Sequence, residues 1–299
     1  MWYNKFVSLV FDKKNIKILQ MQSERKNKKM NSHTKRTDRI GIIIKMLTDN
    51  PCKMLSLSSF SELFSVAKSS VSEDIVHIKS LFREYNIGEI DTVVGAGGGV
   101  RFIPTVSKEE SKLFLDELCI ELSKEDRLMT GGFLYYADLL LMPDIAKKLG
   151  YMLAGSFMSL QPDAVLTMET MGIPIALMTA QALGCPLVTA RKQPKLTEGP
   201  IITISYTSES GKKLESMSIV KHSIKKDQRV IIIDDFMRSG GTIKGMRRLL
   251  AEMEAVHVGT GILISSAVPE HKVITDYVSL LTLDGVDEQT KTIHIRTTE

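Results

Sequence analysis

A run of four β-branched residues, Val230-Ile231-Ile232-Ile233, leads directly into Asp234-Asp235-Phe236-Met237-Arg238-Ser239-Gly240-Gly241-Thr242. Side chains alternate between the two faces of a strand, so an unbroken apolar run needs cover above and below. That cover is supplied by helices on both faces of a parallel sheet. Two carboxylates follow where the strand emerges from its sheet. Ser239 to Thr242 then form a turn that opens a helix over residues 243–254. The first N–H groups of such a helix have no intrahelical partner and point at whatever anion sits above them. Glycines let the main chain approach a phosphate closely, and Thr242 adds a hydroxyl donor. Acids on one side and an anion cradle on the other suit a ribose 5-phosphate, with the vicinal hydroxyls toward Asp234 and Asp235. The alternative is an ordinary strand–turn–helix whose acids are merely solvated.

The neighbouring sequence favours a sheet of this kind. Pro104 leads into a Ser107-x-x-Glu110 capping box and an amphipathic helix through Leu122. Helices near 143–159 and 173–183 alternate with strands at 164–168 and 186–190, and another strand falls near 256–264. Alternation of this sort marks a mostly parallel sheet, which binds ligands at the carboxyl ends of its strands. Glu169, Thr170, Met171 and Gly172 follow one strand, and Arg191-Lys192 follow the next. Taken singly, a glycine at a strand–helix turn is common and a surface Arg-Lys pair is usually just solvated. Residues 193–222 are polar and strand-like, and Met217 reads equally as hairpin packing.

The N-terminal third has a different grammar. Ile40, Ile43, Ile44 and Leu47 recur at helical spacing until Asn50-Pro51. Ser59-x-x-Glu62 and Ser70-x-x-Glu73 are capping boxes close enough for a two-turn helix, a tight turn near 66–68 and a longer helix over 70–85. A hairpin follows, 89–94 and 100–103, with a glycine-rich tip at 95–99. Three helices and a hairpin are the order of a winged helix-turn-helix domain. Lys68, Ser69, Ser70 and Ser72 on its third helix would then face DNA, with Arg101 on the wing. His77 reads as a surface or packing histidine, and Glu73 and Asp74 as helix caps rather than DNA contacts. The alternative is a helical structural or dimerising module that binds no DNA.

Charge agrees with that division. The net charge is +4, but residues 1–105 carry 17 Lys and Arg against 10 Asp and Glu. A basic N-terminal third suits a polyanionic partner. Part of the excess lies in residues 1–34, which read as a disordered basic extension, with Met30 as an alternative initiator; a nucleic-acid-binding arm is the second reading. The expected domains are therefore 35–105 and 106–299. Cys52, Cys119 and Cys185 lack the spacing of a disulfide framework or zinc site and fit a reducing cytoplasm. No apolar run approaches the ~20 residues that span a bilayer.

The segment 233–242 resembles the signature of the phosphoribosyltransferases, which bind phosphoribosyl pyrophosphate (PRPP), usually with Mg²⁺. The resemblance implies that Asp234 and Asp235 hold the ribose hydroxyls and that Arg238, Ser239, Gly240, Gly241 and Thr242 wrap the 5′-phosphate. Glu169 to Gly172 look like the family's pyrophosphate loop, Arg191 and Lys192 would bring positive charge to it, and 193–222 resembles its long covering hairpin. Enzymes of the family acting on 6-oxopurines often carry an acid three residues beyond the second Asp. Here Arg238 stands there, and a guanidinium stays protonated and cannot act as general base.

With the winged helix upstream, the chain resembles the bacterial purine operon repressors. Ala67-Lys68-Ser69-Ser70-Val71-Ser72-Glu73-Asp74 and Gly131-Gly132-Phe133-Leu134-Tyr135 carry this as well. It implies a homodimeric DNA-binding repressor of purine genes that senses PRPP without turning it over, with no obligatory cofactor and no metal site of its own. It also implies guanosine tetraphosphate (ppGpp) as a competing ligand, with Tyr135 and Phe236 stacking on its purine or simply packing in the core. The alternatives are an active xanthine- or adenine-type phosphoribosyltransferase with a regulatory domain, and an RNA-binding attenuator. Release of DNA by allostery or by competition is left open.

Overall fold

The computed structural model describes residues 34–95, 98–193, 199–207 and 214–298. The expected extension before Thr34, Ala96-Gly97 of the glycine tip and the far end of the 193–222 hairpin lie outside the described residues. The chain forms two compact units that divide between Ile103 and Pro104. Among the described residues no helix is long and apolar enough to cross a membrane.

The first unit packs α1 (Arg36–Thr48), α2 (Leu57–Phe64) and α3 (Lys68–Glu84) against an antiparallel hairpin, β1 (Glu89–Val93) and β2 (Gly99–Ile103). Leu55 bridges Val100 through reciprocal backbone bonds of 2.9 and 2.8 Å, so the chain between α1 and α2 joins the hairpin as a third edge. Ile43, Leu47, Phe60, Val71, Ile78, Phe82, Ile90 and Phe102 fill the core. This is the winged-helix arrangement.

Two expected caps are corrected. Ser56, not Ser59, caps α2, its Oγ accepting from the Ser59 amide at 3.1 Å. Helix α3 begins at Lys68 after Ala67, which offers no side-chain cap, so Ser70 lies inside the helix. Ser65 adopts a left-handed conformation (φ 53°) in the turn between them, and the Ser61 hydroxyl donates to the Val66 carbonyl at 2.6 Å.

Asp74 is also corrected: it does not cap α3. It follows Val71 by three residues and precedes Ile78 by four, which places it on the buried stripe of the helix. Its carboxylate, 1% exposed, accepts from Arg36 Nε at 3.0 Å and from Arg39 Nε at 2.9 Å. Two guanidiniums from α1 thus compensate one acid in the core.

The second unit begins with α4 (Lys108–Leu122), capped as expected by Ser107 Oγ, which accepts from the Glu110 amide at 3.1 Å. A short antiparallel pair follows, β3 (Leu128–Met129) and β4 (Phe133–Leu134), then α5 (Ala137–Leu140) and α6 (Pro143–Phe157). The sheet is then built from β5 (Ala164–Met168), α7 (Ile173–Leu183) and β6 (Leu187–Ala190). The hairpin β7 (Ile201–Thr207) and β8 (Leu214–Val220) interrupts it. After that come β9 (Arg229–Met237), α8 (Gly241–Glu252), β10 (Val256–Ser266), β11 (Val278–Asp287) and β12 (Thr292–Thr297).

The six-stranded sheet has the order β12-β11-β10-β9-β5-β6, parallel except for the antiparallel β12 edge. Strand β9 is covered on both faces, as its composition requires. Ile231 and Ile233 pack with Leu153, Phe157, Val165 and Ile175, while Val230 and Ile232 pack with Leu166, Ile219, Met246 and Leu249.

Two bounds and one edge of the sheet differ from expectation. Strand β9 runs to Met237 because β10 pairs with it as far as Met237↔Ser265, so both aspartates lie within the strand. Helix α8 starts at Gly241, two residues early, which makes Thr242 part of its first turn. The β11–β12 edge had no counterpart in the sequence reading.

Replacing Asp74 with Ala should leave Arg39, 11% exposed at its side chain, without its partner. The expected loss is about 2–4 kcal/mol, less than for a fully enclosed pair because Arg36 can turn to water. Denaturation of the full chain, followed by a probe in the N-terminal unit, measures it.

Candidate functional site

The strand order reverses between β5 and β9: the chain steps from β5 outward to β6, then returns to lay β9, β10 and β11 on the other side. Crevices at such switch points are where open parallel sheets bind ligands. Pairing of β5 with β9 stops at Leu166↔Ile232, two residues before Asp234, so the strands part there.

The loop after β5 turns into this gap. Gly172, buried, precedes α7, which has Pro174 in its first turn. A Cβ on Gly172 would lie 2.5 Å from Thr167 Oγ1 and 2.9 Å from Asp234 Oδ1. A side chain there would displace the Thr167 or Asp234 side chain. The Thr167 hydroxyl beside it is buried and has no hydrogen-bond partner among the described residues. Thr170 is exposed, Glu169 and Met171 are half-buried, and the Glu169–Thr170 peptide is cis. Gly172 and Asp234, 62 residues apart in sequence, are thus in direct contact.

The second loop follows β9. Gly240 has φ +89°, and a Cβ there would lie 3.2 Å from Ile274 Cβ, so conformation and space both demand glycine. The Ser239 carbonyl accepts from the Val273 amide at 2.9 Å. Gly241 and Thr242, half-buried, begin α8, whose first amides have no intrahelical acceptor. Arg238 is exposed. Asp234 is 5% exposed, and its Oδ1 accepts from the Asp235 amide at 3.2 Å; Asp235 itself is half-buried.

The two expected cations behave differently. Arg191 reaches the loop after β5, with Nη1 3.2 Å from Glu169 Oε2. Lys192 is drawn to the hairpin, with Nζ 2.9 Å from Glu215 Oε2, so its charge is compensated there rather than at the loop. The hairpin packs on α8 through Tyr206 and Met217, both buried, which decides Met217 in favour of packing.

The two expected aromatics are placed differently. Tyr135 is turned toward Arg127, whose guanidinium carbon lies 5.8 Å from the ring centroid. Its neighbour Tyr136 is the one that reaches the acid pair. The Tyr136 hydroxyl donates to Asp235 Oδ2 at 2.5 Å, and its ring stacks on Phe236 with centroids 6.4 Å apart and planes at 19°. Burial, and then the neighbouring Asp235 and Asp234 carboxylates, push the Tyr136 phenol well above the ordinary tyrosine range. It therefore remains a donor. Sequence reasoning stopped one residue short of it, and the only signal was the tyrosine doublet itself.

On the winged helix, Lys68, Ser69, Ser72 and His77 are exposed and Ser70 is half-buried at the start of α3. Arg101 is not a freely presented wing charge: its directly opposed strand partner Asp91 holds it, Nη2 to Oδ2 2.7 Å. Among the described residues no group of three or more His, Cys, Asp or Glu side chains is placed to hold a metal ion.

Replacing Gly172 with Ala should force the loop away from Thr167 and Asp234. Overpacking of this kind costs about 1–3 kcal/mol, to be read as a lowered urea midpoint of the second unit with an unchanged denaturant slope.

Two family models match the chain: "Bacterial purine repressor, N-terminal" over residues 35–104 and "Phosphoribosyl transferase domain" over residues 136–297. The probable purine biosynthesis transcriptional regulator PurR of Streptococcus pneumoniae (TIGR4) is 41% identical over 87% of this chain and 95% of its own. The purine biosynthesis transcriptional repressor PurR of Bacillus subtilis (strain 168) is 38% identical over 88% and 92%. The purine biosynthesis transcriptional activator PurR of Lactococcus lactis (IL1403) is 37% identical over 88% and 97%. These relatives are named as transcriptional regulators, and they align with both units: the chain belongs to the bacterial purine repressor family of purine biosynthesis regulators.

Proposed function

We propose that the protein is a cytoplasmic homodimeric repressor of purine biosynthesis genes that holds PRPP in the crevice between β5 and β9 as its inducer. The observation that supports this is the contact of the Gly172 loop with Asp234 at the strand end that leads into the Ser239–Thr242 turn. In this reading Asp234 and Asp235 accept the ribose hydroxyls. Arg238 and the Ser239–Thr242 turn hold the 5′-phosphate, while Glu169 to Gly172, with Arg191 beside them, receive the pyrophosphate. The orphaned Thr167 hydroxyl fits a site that expects a polar group. Mg²⁺ arrives on the pyrophosphate, and ppGpp competes for the same cradles, its purine against Phe236.

DNA is met by the exposed start of α3, with Lys68, Ser69 and Ser72 toward the groove and backbone. PRPP lowers DNA affinity only as far as it prefers the DNA-free state, and the coupling is reciprocal. Relatives carry both repressor and activator in their names. The basic α3 start is common to either role, and repression is the reading adopted because an inducer that releases DNA needs no further partner.

Gel-shift titration on a purine biosynthesis promoter tests the proposal. PRPP should weaken DNA binding by about 5- to 150-fold, the usual range of such couplings. Asp235→Ala should bind the same DNA and ignore PRPP. Unchanged affinity with PRPP would sink the inducer reading, and rapid pyrophosphate release from PRPP with a purine base would restore an enzyme.

A further inference from the structure

The acid pair is supported by a residue from a distant part of the chain. Tyr136 precedes Asp235 by 99 positions, and it sits on a braced platform. Its carbonyl accepts from the Leu139 and Leu140 amides at 3.1 and 3.3 Å, making it the first residue of the α5 turn. The preceding residue is fixed too: the Tyr135 amide donates to the Arg127 carbonyl at 2.7 Å. Arg127 in turn donates to Glu121 at 2.7 Å and Asp138 at 2.6 Å. The phenol is therefore delivered from a rigid element, with its ring laid against Phe236.

A carboxylate on a strand end can turn about its last bond unless something holds one oxygen. Tyr136 holds Oδ2 of Asp235 with a short hydrogen bond to an ionised acceptor, the strong kind. The other oxygen, Oδ1, has no side-chain donor among the described residues. One oxygen is thus pinned and the other is left in a fixed direction, which is what recognition of a sugar hydroxyl requires. Resting on the PRPP reading of the crevice, we propose that Tyr136 is a positioning residue for the ribose. It orients Asp235 so that Oδ1 accepts from a ribose hydroxyl, and it thereby makes effector binding depend on the sugar and not on the phosphates alone.

The opposite arrangement, in which Tyr136 occupies an oxygen the sugar needs, would make removal of the hydroxyl tighten binding. Tyr136→Phe deletes one oxygen and keeps the Phe236 stack, so it separates the two. Calorimetric titration of the full chain with PRPP and with inorganic pyrophosphate, which carries no sugar, gives the readout. For Tyr136→Phe the ratio of PRPP to pyrophosphate affinity should fall about tenfold, the scale of one charge-assisted hydrogen bond. In an Asp235→Asn background the same substitution should produce little further change in PRPP affinity, because it acts through that carboxylate. An unchanged ratio, an equal loss for both ligands, tighter PRPP binding, or additive effects with Asp235→Asn would each overturn the proposal. Failure of the unsubstituted protein to bind PRPP would instead refute the reading of the crevice on which it rests.

Discussion

The contact between Gly172 and Asp234 is the constraint on which the rest of the site depends. It joins the loop after β5 to the body of β9 at the point where the two strands part, with an approach that a single methyl group would prevent. Everything upstream of that contact serves to hold the two strands still. Strand β9 is buried on both faces and paired on both sides up to Ile232, so the backbone carrying Asp234 cannot shift without disturbing both layers of core. Close-packed cores transmit such displacements rather than absorb them. The loops can therefore offer amides and hydroxyls at fixed positions while remaining open to solvent.

Two pairs of charges at the crevice compensate each other, Glu169 with Arg191 and Glu215 with Lys192, while Asp235 accepts from the neutral Tyr136 hydroxyl. In the proposed reading, the pyrophosphate competes with Glu169 for Arg191 and the ribose shares Asp235 with a phenol, so that binding is an exchange of partners. The same pairing appears in the winged helix, where Asp91 neutralises Arg101 and Asp74 bridges two arginines of α1, offsetting one of their two charges. The unit's surplus positive charge is thereby left to groups such as Lys68 at the start of α3.

Much of this is legible in the sequence, and the physical reason differs from element to element. The Val230–Ile233 run announces a strand covered on both faces because each residue type and each parity is apolar, and local pattern suffices. Gly240 and Gly241 between a strand and an amphipathic helix announce their turn for a similar reason. The burial of Asp74 was also encoded, since it shares the stripe of Val71 and Ile78, but the Ser-x-x-Glu pattern drew attention to a cap that does not form. Tyr136 was not legible: its role depends on a partner 99 residues away, and nothing local separates it from Tyr135, which turns to Arg127 instead. The β11–β12 edge was missed because its strands alternate weakly and are only partly buried.

The position of Arg238 connects the geometry to the regulatory role. A transferase must stabilise a transition state more than its substrate, and a group that moves a proton at the base is one way to do so. A sensor needs only ground-state affinity and a difference in that affinity between two states of the protein. An exposed guanidinium beside the Ser239–Thr242 turn serves the second requirement directly, adding charge for a phosphate, and contributes nothing to proton transfer. In the proposed reading, the switch-point crevice, the carboxylate held by Tyr136 and the Arg238 guanidinium hold a phosphorylated sugar. In such a site the binding energy is available to shift a conformational equilibrium instead of a reaction barrier.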